Sequence, residues 1–316
     1  MAAGMTARVF YVSTWIGIKA GCLAVRFLPR RWLFWFSDLA ADIGFYCCRD
    51  FRTRSIKNLA VAFGERASGA SIDEIARRSL RNFSRSCIEI ALALEASDDE
   101  LRGLMSVTGS EHLEAALAKG AGAIVLSAHL GNFFLVGSRL AVDGYKVSVL
   151  VNPPKDNRLA ELMDRYRLQI GQRTIRARPK MKALEELHQS LRRNELAVVI
   201  ADEYRRTKGI AVSLFDRTVI ARRGPATVAL RTGAAIVPAC MIRQLDGTLK
   251  LIIEPELKLD RSAKSRAQIE ANIVRITEWL ERTVRVYPDQ WNWMNIRWST
   301  AREHETAAQK PAHQPM

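Results

Sequence analysis

The sequence predicts an α/β protein, with a mainly parallel sheet covered by helices and an N-terminal apolar helical region that anchors to a membrane. Two observations predict the sheet. Short runs that are apolar up to their last residue, such as 123–127 and 196–202, are typical of buried strands, and helical patterns alternate with them along the chain. The third observation is an N-terminal segment, 9–28, that is apolar apart from two cations and a few small polar residues.

The N-terminal segment favours a membrane-associated region over a pair of ordinary buried helices. Residues 29–48 follow it and are rich in Trp and Phe beside Arg30 and Arg31, a combination that suits the headgroup boundary of a bilayer. Lys19 and Arg26 interrupt the apolar run, so the sequence leaves open whether the region spans the bilayer or lies on it. No cleavage site follows a compact apolar run, so no cleaved signal peptide is expected.

Three parts of the chain are predicted from these patterns. Residues 1–50 form the membrane-associated helices, 51–300 the α/β domain, and 301–316 a flexible tail without apolar periodicity. Ser71 and Glu74 form a capping box that begins a helix, and residues 210–220 are typical of a strand pair or hairpin. A short helix begins at Gly224 and ends near Gly233, and a long helix covers about 265–286.

The composition limits the classes of function. The 316 residues carry a formal net charge of +15, which attracts polyanions such as nucleic acid or an anionic membrane surface. An apolar, aromatic N-terminus has no use in nucleic-acid binding, and no nucleic-acid motif is present, so membrane lipids are the expected partners and nucleic acid is not. The five cysteines lack metal-ligand or redox spacing, so we expect no structural disulfide, no zinc and no other metal.

The candidate catalytic residue is His129. It follows the predicted strand 123–127 and precedes a glycine, Gly131, at the position where open α/β sheets place their sites. Histidine is the natural general base near neutral pH. On this evidence alone, His129 could equally well be a core residue whose ring nitrogens form hydrogen bonds within the protein.

A series of short motifs in a fixed order identifies a family. The motifs include His129–Asn132, Ala201–Asp202, Val212–Phe215, Gly224–Ala226 and Gln290–Trp293. Through nearly its whole length the sequence resembles the late acyltransferases of lipid A biosynthesis, the lauroyl and myristoyl transferases. The resemblance implies a bacterial enzyme on the cytoplasmic face of the inner membrane. It also implies an acyl carrier protein or CoA thioester as donor, a lipid A precursor or related glycolipid as acceptor, and no cofactor.

The family's catalytic pair is a histidine and a carboxylate five residues later, and here the sequence departs from it. Phe134 occupies the acidic position, so the pair is incomplete, and a catalytically inactive lipid-binding or partner protein is the alternative. Asp202 also ends a predicted strand and would share an edge of a parallel sheet with His129. It could serve as the second catalytic residue, or it could only cap the following turn or pair with Arg205.

The remaining candidates bind substrate. Arg222 and Arg223 directly precede the helix that begins at Gly224, and helix N-termini together with arginine side chains bind phosphate. These three residues are therefore assigned to the phosphate of the acceptor, with a solvated basic face as the alternative. Asn132, in the histidine motif, is also assigned to substrate binding. The tryptophans near the C-terminus are assigned to packing in the core or at the membrane interface, namely Trp291, Trp293 and Trp298.

Overall fold

The computed structural model describes residues 27–64, 71–154, 156–204, 209–262, 265–294 and 296–298. The strands are β1 (Met105–Thr108), β2 (Ala123–Ser127), β3 (Val147–Val151), β4 (Arg173–Arg176), β5 (Leu196–Ile200), β6 (Ile210–Leu214), β7 (Arg217–Ala221), β8 (Ala235–Arg243) and β9 (Leu249–Ile253). The helices are α1 (Arg30–Cys47), α2 (Arg49–Phe63), α3 (Ile72–Glu95), α4 (Asp98–Leu104), α5 (Ser110–Leu117), α6 (Phe134–Val142), α7 (Asn157–Gln169), α8 (Lys180–Arg192), α9 (Gly224–Thr232) and α10 (Arg266–Val286), followed by a 3-10 turn at Pro288–Gln290.

The sheet has seven strands in the order β1-β9-β8-β2-β5-β3-β4. Strand β2 lies in the middle and pairs in parallel with both β5 and β8. Its alternate residues enter two different cores: Ile124 and Leu126 belong to one, and Ala123 and Val125 to the other. Helices therefore cover both faces, which explains the unbroken apolar run and confirms the predicted, mainly parallel sheet.

Two parts of the fold contain antiparallel strand pairs. Strand β9 returns antiparallel to β8, and β1 joins the edge parallel to β9, so both run against the other five strands. Strands β6 and β7 form a separate antiparallel hairpin, as the sequence predicted. At the tip of this hairpin, Phe215 and Asp216 both adopt positive φ, the conformation that a tight hairpin turn requires of its central residues.

The N-terminal prediction falls only partly on the described residues, because 1–26 lie outside them, as does the predicted tail 301–316. Helix α1 is amphipathic: Leu33, Ala41 and Phe45 are buried in the protein. Its other side exposes large apolar residues to solvent, namely Trp32, Trp35, Phe36, Leu39, Ile43 and Tyr46. Within the described ranges, no helix has both the length and the apolar character needed to cross a bilayer.

Two carboxylates tie helix α1 to helix α3. Asp42 accepts hydrogen bonds from Arg77 at 2.6 and 2.8 Å, and also from Arg81. These bonds from Arg77 and Arg81 hold the pKa of Asp42 well below its usual range. One turn away, Asp38 pairs with Arg85. The division of the chain near residue 50 stays a prediction, but these pairs fix α1 on the helical layer that packs over the sheet.

Candidate functional site

The loop after β2 presents His129 at the carboxyl edge of the sheet. Strand β2 ends at Ser127, and the chain then turns at Gly131, whose φ is +58°. A side chain at position 131 would begin 1.9 Å from the carbonyl oxygen of Met241, so only glycine allows the loop to lie this close to β8. The backbone of β8 also holds the loop, because the Asn132 N–H donates to that same Met241 carbonyl at 2.9 Å.

Asp202 is the partner of His129. Strand β5 lies beside β2 in parallel, so the residues that follow the two strands meet at one edge. The Nδ1 atom of His129 lies 2.8 Å from Oδ1 of Asp202, and the backbone N–H of His129 donates to Oδ2 at 2.9 Å. Of the two roles that the sequence left open for Asp202, the structure supports the pairing with His129; Arg205 lies outside the described residues.

A third donor completes the surroundings of Asp202. The indole Nε1 of Trp291 donates to Oδ2 at 2.8 Å, and Trp291 is only 2% exposed. The backbone around Trp291 pairs with the histidine loop: Leu130 and Trp291 form an isolated bridge, and Asn292 N–H donates to the His129 carbonyl at 3.1 Å. The assignment of Trp291 to core packing missed this contact. A buried indole N–H requires an acceptor, which was the available signal.

His129 and Asp202 each shift the pKa of the other. Burial alone would lower the pKa of His129, but the charge and hydrogen bond of Asp202 outweigh it, so the pKa lies above its usual value. Burial would likewise raise the pKa of Asp202. The His129 charge and the hydrogen bonds from His129 and Trp291 outweigh that effect and lower it. Both shifts favour the charged forms, a protonated His129 beside an ionised Asp202.

The pair can act as an oriented general base. An ionised Asp202 accepts the proton on Nδ1, which leaves the lone pair of His129 on Nε2. The His129 side chain is 23% exposed, whereas that of Asp202 is 3% exposed, so the base is accessible from solvent and its partner is not. The edge of the Phe133 ring packs on the imidazole, with 4.7 Å between ring centroids. This geometry suits removal of a proton from a bound hydroxyl group.

Phe134 does not face His129. It begins helix α6 and stacks on Tyr166, with ring centroids 6.1 Å apart, and the Arg167 guanidinium lies 5.3 Å from its ring. The expectation that Phe134 leaves His129 without a carboxylate beside it is corrected, because Asp202 reaches His129 from the end of the neighbouring strand. The catalytic role of the pair stays a prediction.

Asn132 lies in a buried polar network on the inner side of the histidine loop. Its amide donates to Glu89 at 2.9 Å, and Glu89 forms a two-pronged ion pair with Arg243 at 2.6 and 3.1 Å. Asn132 is 1% exposed, and the side chains of the ion pair are each 3% exposed. The structure shows these internal partners for Asn132, and its assignment to substrate binding stays a prediction. The role of Glu89 in this network was not found from sequence.

The predicted phosphate-binding residues lie at the start of α9. Arg222 pairs with Glu203, the residue that follows Asp202, so this arginine lies next to the edge that carries the His129–Asp202 pair. Arg223 is exposed at the N-cap of α9, and Gly224 is the exposed first residue of the helix. A narrow cleft is lined by Arg222 and Asp202. Its other lining includes Ser127, Tyr204, Pro225 and Trp279.

No cluster of three or more His, Cys, Asp or Glu side chains suited to a metal ion occurs in the part of the chain that the structure describes.

The fold and the His129–Asp202 pair define a class of α/β proteins with a histidine-carboxylate site at the carboxyl edge of a parallel sheet. Comparison with known families is more specific: bacterial lipid A biosynthesis acyltransferases match residues 6–300 of the chain. The protein belongs to this family and is an acyltransferase.

Curated relatives carry a related name. A phosphatidylinositol mannoside acyltransferase from Mycolicibacterium smegmatis is 25% identical over 289 residues, covering 90% of each chain. A protein with the same name from Mycobacterium tuberculosis is 28% identical over 226 residues, covering 69% of each chain.

Proposed function

We propose that the protein transfers a fatty acyl chain from an acyl carrier protein or CoA thioester to a hydroxyl group of a lipid A precursor or a related glycolipid. The observation that carries this proposal is the contact between His129 and Asp202 at the accessible edge of the sheet. The names of the relatives support a glycolipid acceptor, since the substrate they name is a mannosylated phospholipid. One reaction at this site, transfer of the acyl chain from the thioester to a glycolipid hydroxyl group, would use both the proposed donor and the proposed acceptor.

In the proposed reaction, His129 Nε2 takes the proton of the acceptor hydroxyl as its oxygen attacks the thioester carbonyl carbon. Asp202 holds the ring and stabilises the imidazolium that forms. The tetrahedral intermediate then collapses, the carbon–sulfur bond breaks, and the proton on His129 passes to the departing thiolate. The products are the acylated glycolipid and the free thiol of the carrier. No covalent acyl-enzyme and no metal ion takes part in this scheme.

The start of α9 is the proposed site for the phosphate of the acceptor. Arg223 and Gly224 are exposed there, and the first N–H groups of a helix together with its dipole favour a bound anion. Arg222 lies between the start of α9 and the edge that carries His129, where it pairs with Glu203. A phosphate held at α9 would bring a neighbouring sugar hydroxyl towards His129.

An inactive relative was the alternative interpretation of the sequence. Its basis was the loss of an acidic residue at position 134. Since Asp202 provides a carboxylate in contact with His129, the absence of an acidic residue at position 134 is no longer an argument that the protein is inactive. We therefore retain catalysis in the proposal.

We also propose that the protein acts on the cytoplasmic face of the bacterial inner membrane, attached through α1. Half or more of the surface of Trp35, Phe36 and Tyr46 is exposed, and a surface with this many aromatic rings fits the boundary between headgroups and acyl chains. Arg31, exposed at the start of α1, would contact anionic headgroups. Lipid substrates would then reach the site from the bilayer.

The test is an acyl-transfer assay with labelled acyl carrier protein or acyl-CoA and two acceptors, a lipid A precursor and a phosphatidylinositol mannoside. We expect transfer to at least one acceptor. His129→Ala should lower turnover by about 10² or more, and Asp202→Asn by a comparable factor, because a general base and its orientation contribute factors of this size.

His112→Ala is the matched control, since His112 lies on α5 and bonds to no residue of the site. It should leave turnover unchanged. Full activity in the His129 variant would exclude the proposed base. Failure of the folded protein to acylate either acceptor would exclude the proposed substrate class.

A further inference from the structure

The two oxygens of Asp202 have different partners. Oδ1 lies against Nδ1 of His129 at 2.8 Å, and Oδ2 accepts from the His129 backbone N–H at 2.9 Å and from the Trp291 indole at 2.8 Å. A carboxylate held only through Oδ1 could rotate about its side-chain bonds. Donors on both oxygens hold its plane relative to the imidazole, and the indole is the one of these three donors that does not belong to His129 itself.

Trp291 is itself held from several directions, so its indole is a rigid donor. Its carbonyl accepts a hydrogen bond from the Ser79 hydroxyl at 2.7 Å, and its backbone pairs with Leu130. Its ring packs at 4.8 Å from that of Trp293 and at 6.5 Å from that of Phe215. The indole cannot follow Asp202 if that side chain moves, which is the property of a group that sets the position of another.

We infer that Trp291 is a positioning residue of the catalytic site: its indole N–H fixes the orientation of Asp202 and weakens the hold of that carboxylate on the His129 proton. The inference rests on the proposed role of His129 as the base. A donor on Oδ2 withdraws charge from the carboxylate, so Oδ1 stabilises the imidazolium less than an unshared carboxylate would. Removing this donor should therefore let the pair keep its proton up to a higher pH.

The discriminating substitution is Trp291→Phe, with Trp293→Phe as its matched control. Trp293 is also a fully buried tryptophan, but its Nε1 donates to the Pro288 carbonyl at 2.6 Å and not to Asp202. Both substitutions remove one buried indole hydrogen bond and a similar volume. Only the first removes a donor from the catalytic carboxylate.

The first measurement does not depend on activity. Imidazole signals of the full-length protein are followed by NMR across pH, with the His129 signal identified by its loss in His129→Ala. In Trp291→Phe we expect the pKa of His129 to rise by about half a unit or more, because a hydrogen bond to a charged group has been lost. In Trp293→Phe the pKa should stay within about 0.2 units of the parent.

The second measurement is the pH dependence of acyl transfer. In Trp291→Phe the acidic limb of turnover should move to higher pH together with the NMR pKa. Turnover on the plateau should fall about tenfold, with KM changed less than about twofold, because orientation of the base acts on the transition state. In an Asp202→Asn background the same substitution should have little further effect on turnover.

Three results would overturn the inference: an unchanged His129 pKa in a folded Trp291→Phe, equal shifts in both tryptophan variants, or an undiminished effect in the Asp202→Asn background. Absence of transfer by the parent protein would count against the proposed function, whereas the NMR result would still decide the role of Trp291. If Trp291→Phe does not fold, benzothienylalanine at position 291 keeps the bicyclic shape and replaces only the N–H by sulfur. The same pKa rise is expected from it, and no rise would reject the inference.

Discussion

His129 shows how a histidine–carboxylate pair can form although the family's usual spacing along the chain is absent. The carboxylate reaches it across neighbouring parallel strands, where Asp202 follows β5. Phe134 is then free to pack on Tyr166, outside the site. Contact with the imidazole, and not distance in sequence, determines which acid orients it.

Position 134 offers a direct check of this arrangement. Phe134→Glu restores the acid expected from sequence spacing, but its side chain would extend towards Tyr166 and Arg167. We expect no increase in transfer rate and a loss of about 1–3 kcal/mol in unfolding free energy, because aromatic packing is replaced by a charge that must be desolvated. The measurements are turnover per folded protein and chemical denaturation.

Phe134→Leu is the control for this substitution, since it removes the aromatic ring without adding a charge. It should lose less stability than Phe134→Glu and keep the parental turnover. A folded Phe134→Glu protein that transfers acyl chains tenfold faster would show that position 134 reaches His129 after all.

The histidine loop depends on contacts with several elements. Helix α3 contributes Glu89, β8 contributes Arg243, and the loop itself contributes Asn132 to one buried network. On the other side, the segment after α10 pairs with the loop, where Gly131 N–H donates to the Gln290 carbonyl at 2.8 Å. The loop is therefore held between a helix, a strand and the C-terminal segment, and each of them limits how far His129 can move.

Glu89→Gln tests the energetic importance of this network. The substitution removes the charge that faces Arg243 in a fully buried environment, and losing one partner of a buried pair leaves an uncompensated charge. We expect a loss of about 3–5 kcal/mol in unfolding free energy, measured by denaturant titration.

Glu111→Gln on α5 is the control, because the Glu111 side chain is 73% exposed. A substitution at such a site should change the unfolding free energy by no more than about 0.5 kcal/mol. If the two variants were equally stable, the network would be a by-product of packing and not a support of the loop.

The proposed membrane attachment would be a property of the whole molecule, because it combines the apolar face of α1 with a net charge of +15. On vesicles containing anionic lipid, Trp32→Ser with Trp35→Ser should weaken binding by a factor of about ten or more, since each indole loses apolar burial. Raising the salt concentration should weaken binding of the parent protein without abolishing it, because salt screens charge but not apolar contact. Sedimentation with vesicles measures both effects.

The control for this prediction is Leu168→Ser on α7, which removes an apolar side chain that is 78% exposed at another place. Its binding to vesicles should equal that of the parent. Equal losses for Leu168→Ser and the double tryptophan variant would mean that α1 is not the attachment surface.

Much of the fold could be predicted because its signals are local. The run 123–126 is apolar at every position since β2 is covered on both faces, and Ser71 caps α3 by accepting a hydrogen bond from the Glu74 N–H. The reversed direction of β9 was not predictable, because the alternation of strands and helices along the chain does not determine the direction of each strand. Short β1, four residues long, has too little periodicity to be recognised.

For the site, sequence indicated His129 and the edge where it lies, and it offered Asp202 as one of two interpretations. The contact itself depends on the pairing of β2 with β5, which is a property of tertiary structure. The Trp291 hydrogen bond joins residues 89 positions apart, and no local pattern encodes such a pairing. Glu89, likewise, acts through residues on a strand and a loop far along the chain.

The position of Trp291 along the chain has a consequence for biosynthesis. Residues 290–292 follow every strand that the described ranges contain, and they pair with the loop at His129–Gly131. A nascent chain that ends before residue 290 carries all of these strands but lacks the indole donor to Asp202 and the backbone partner of Leu130. If Trp291 positions Asp202 as inferred above, the proposed site is complete only when this segment has been synthesised.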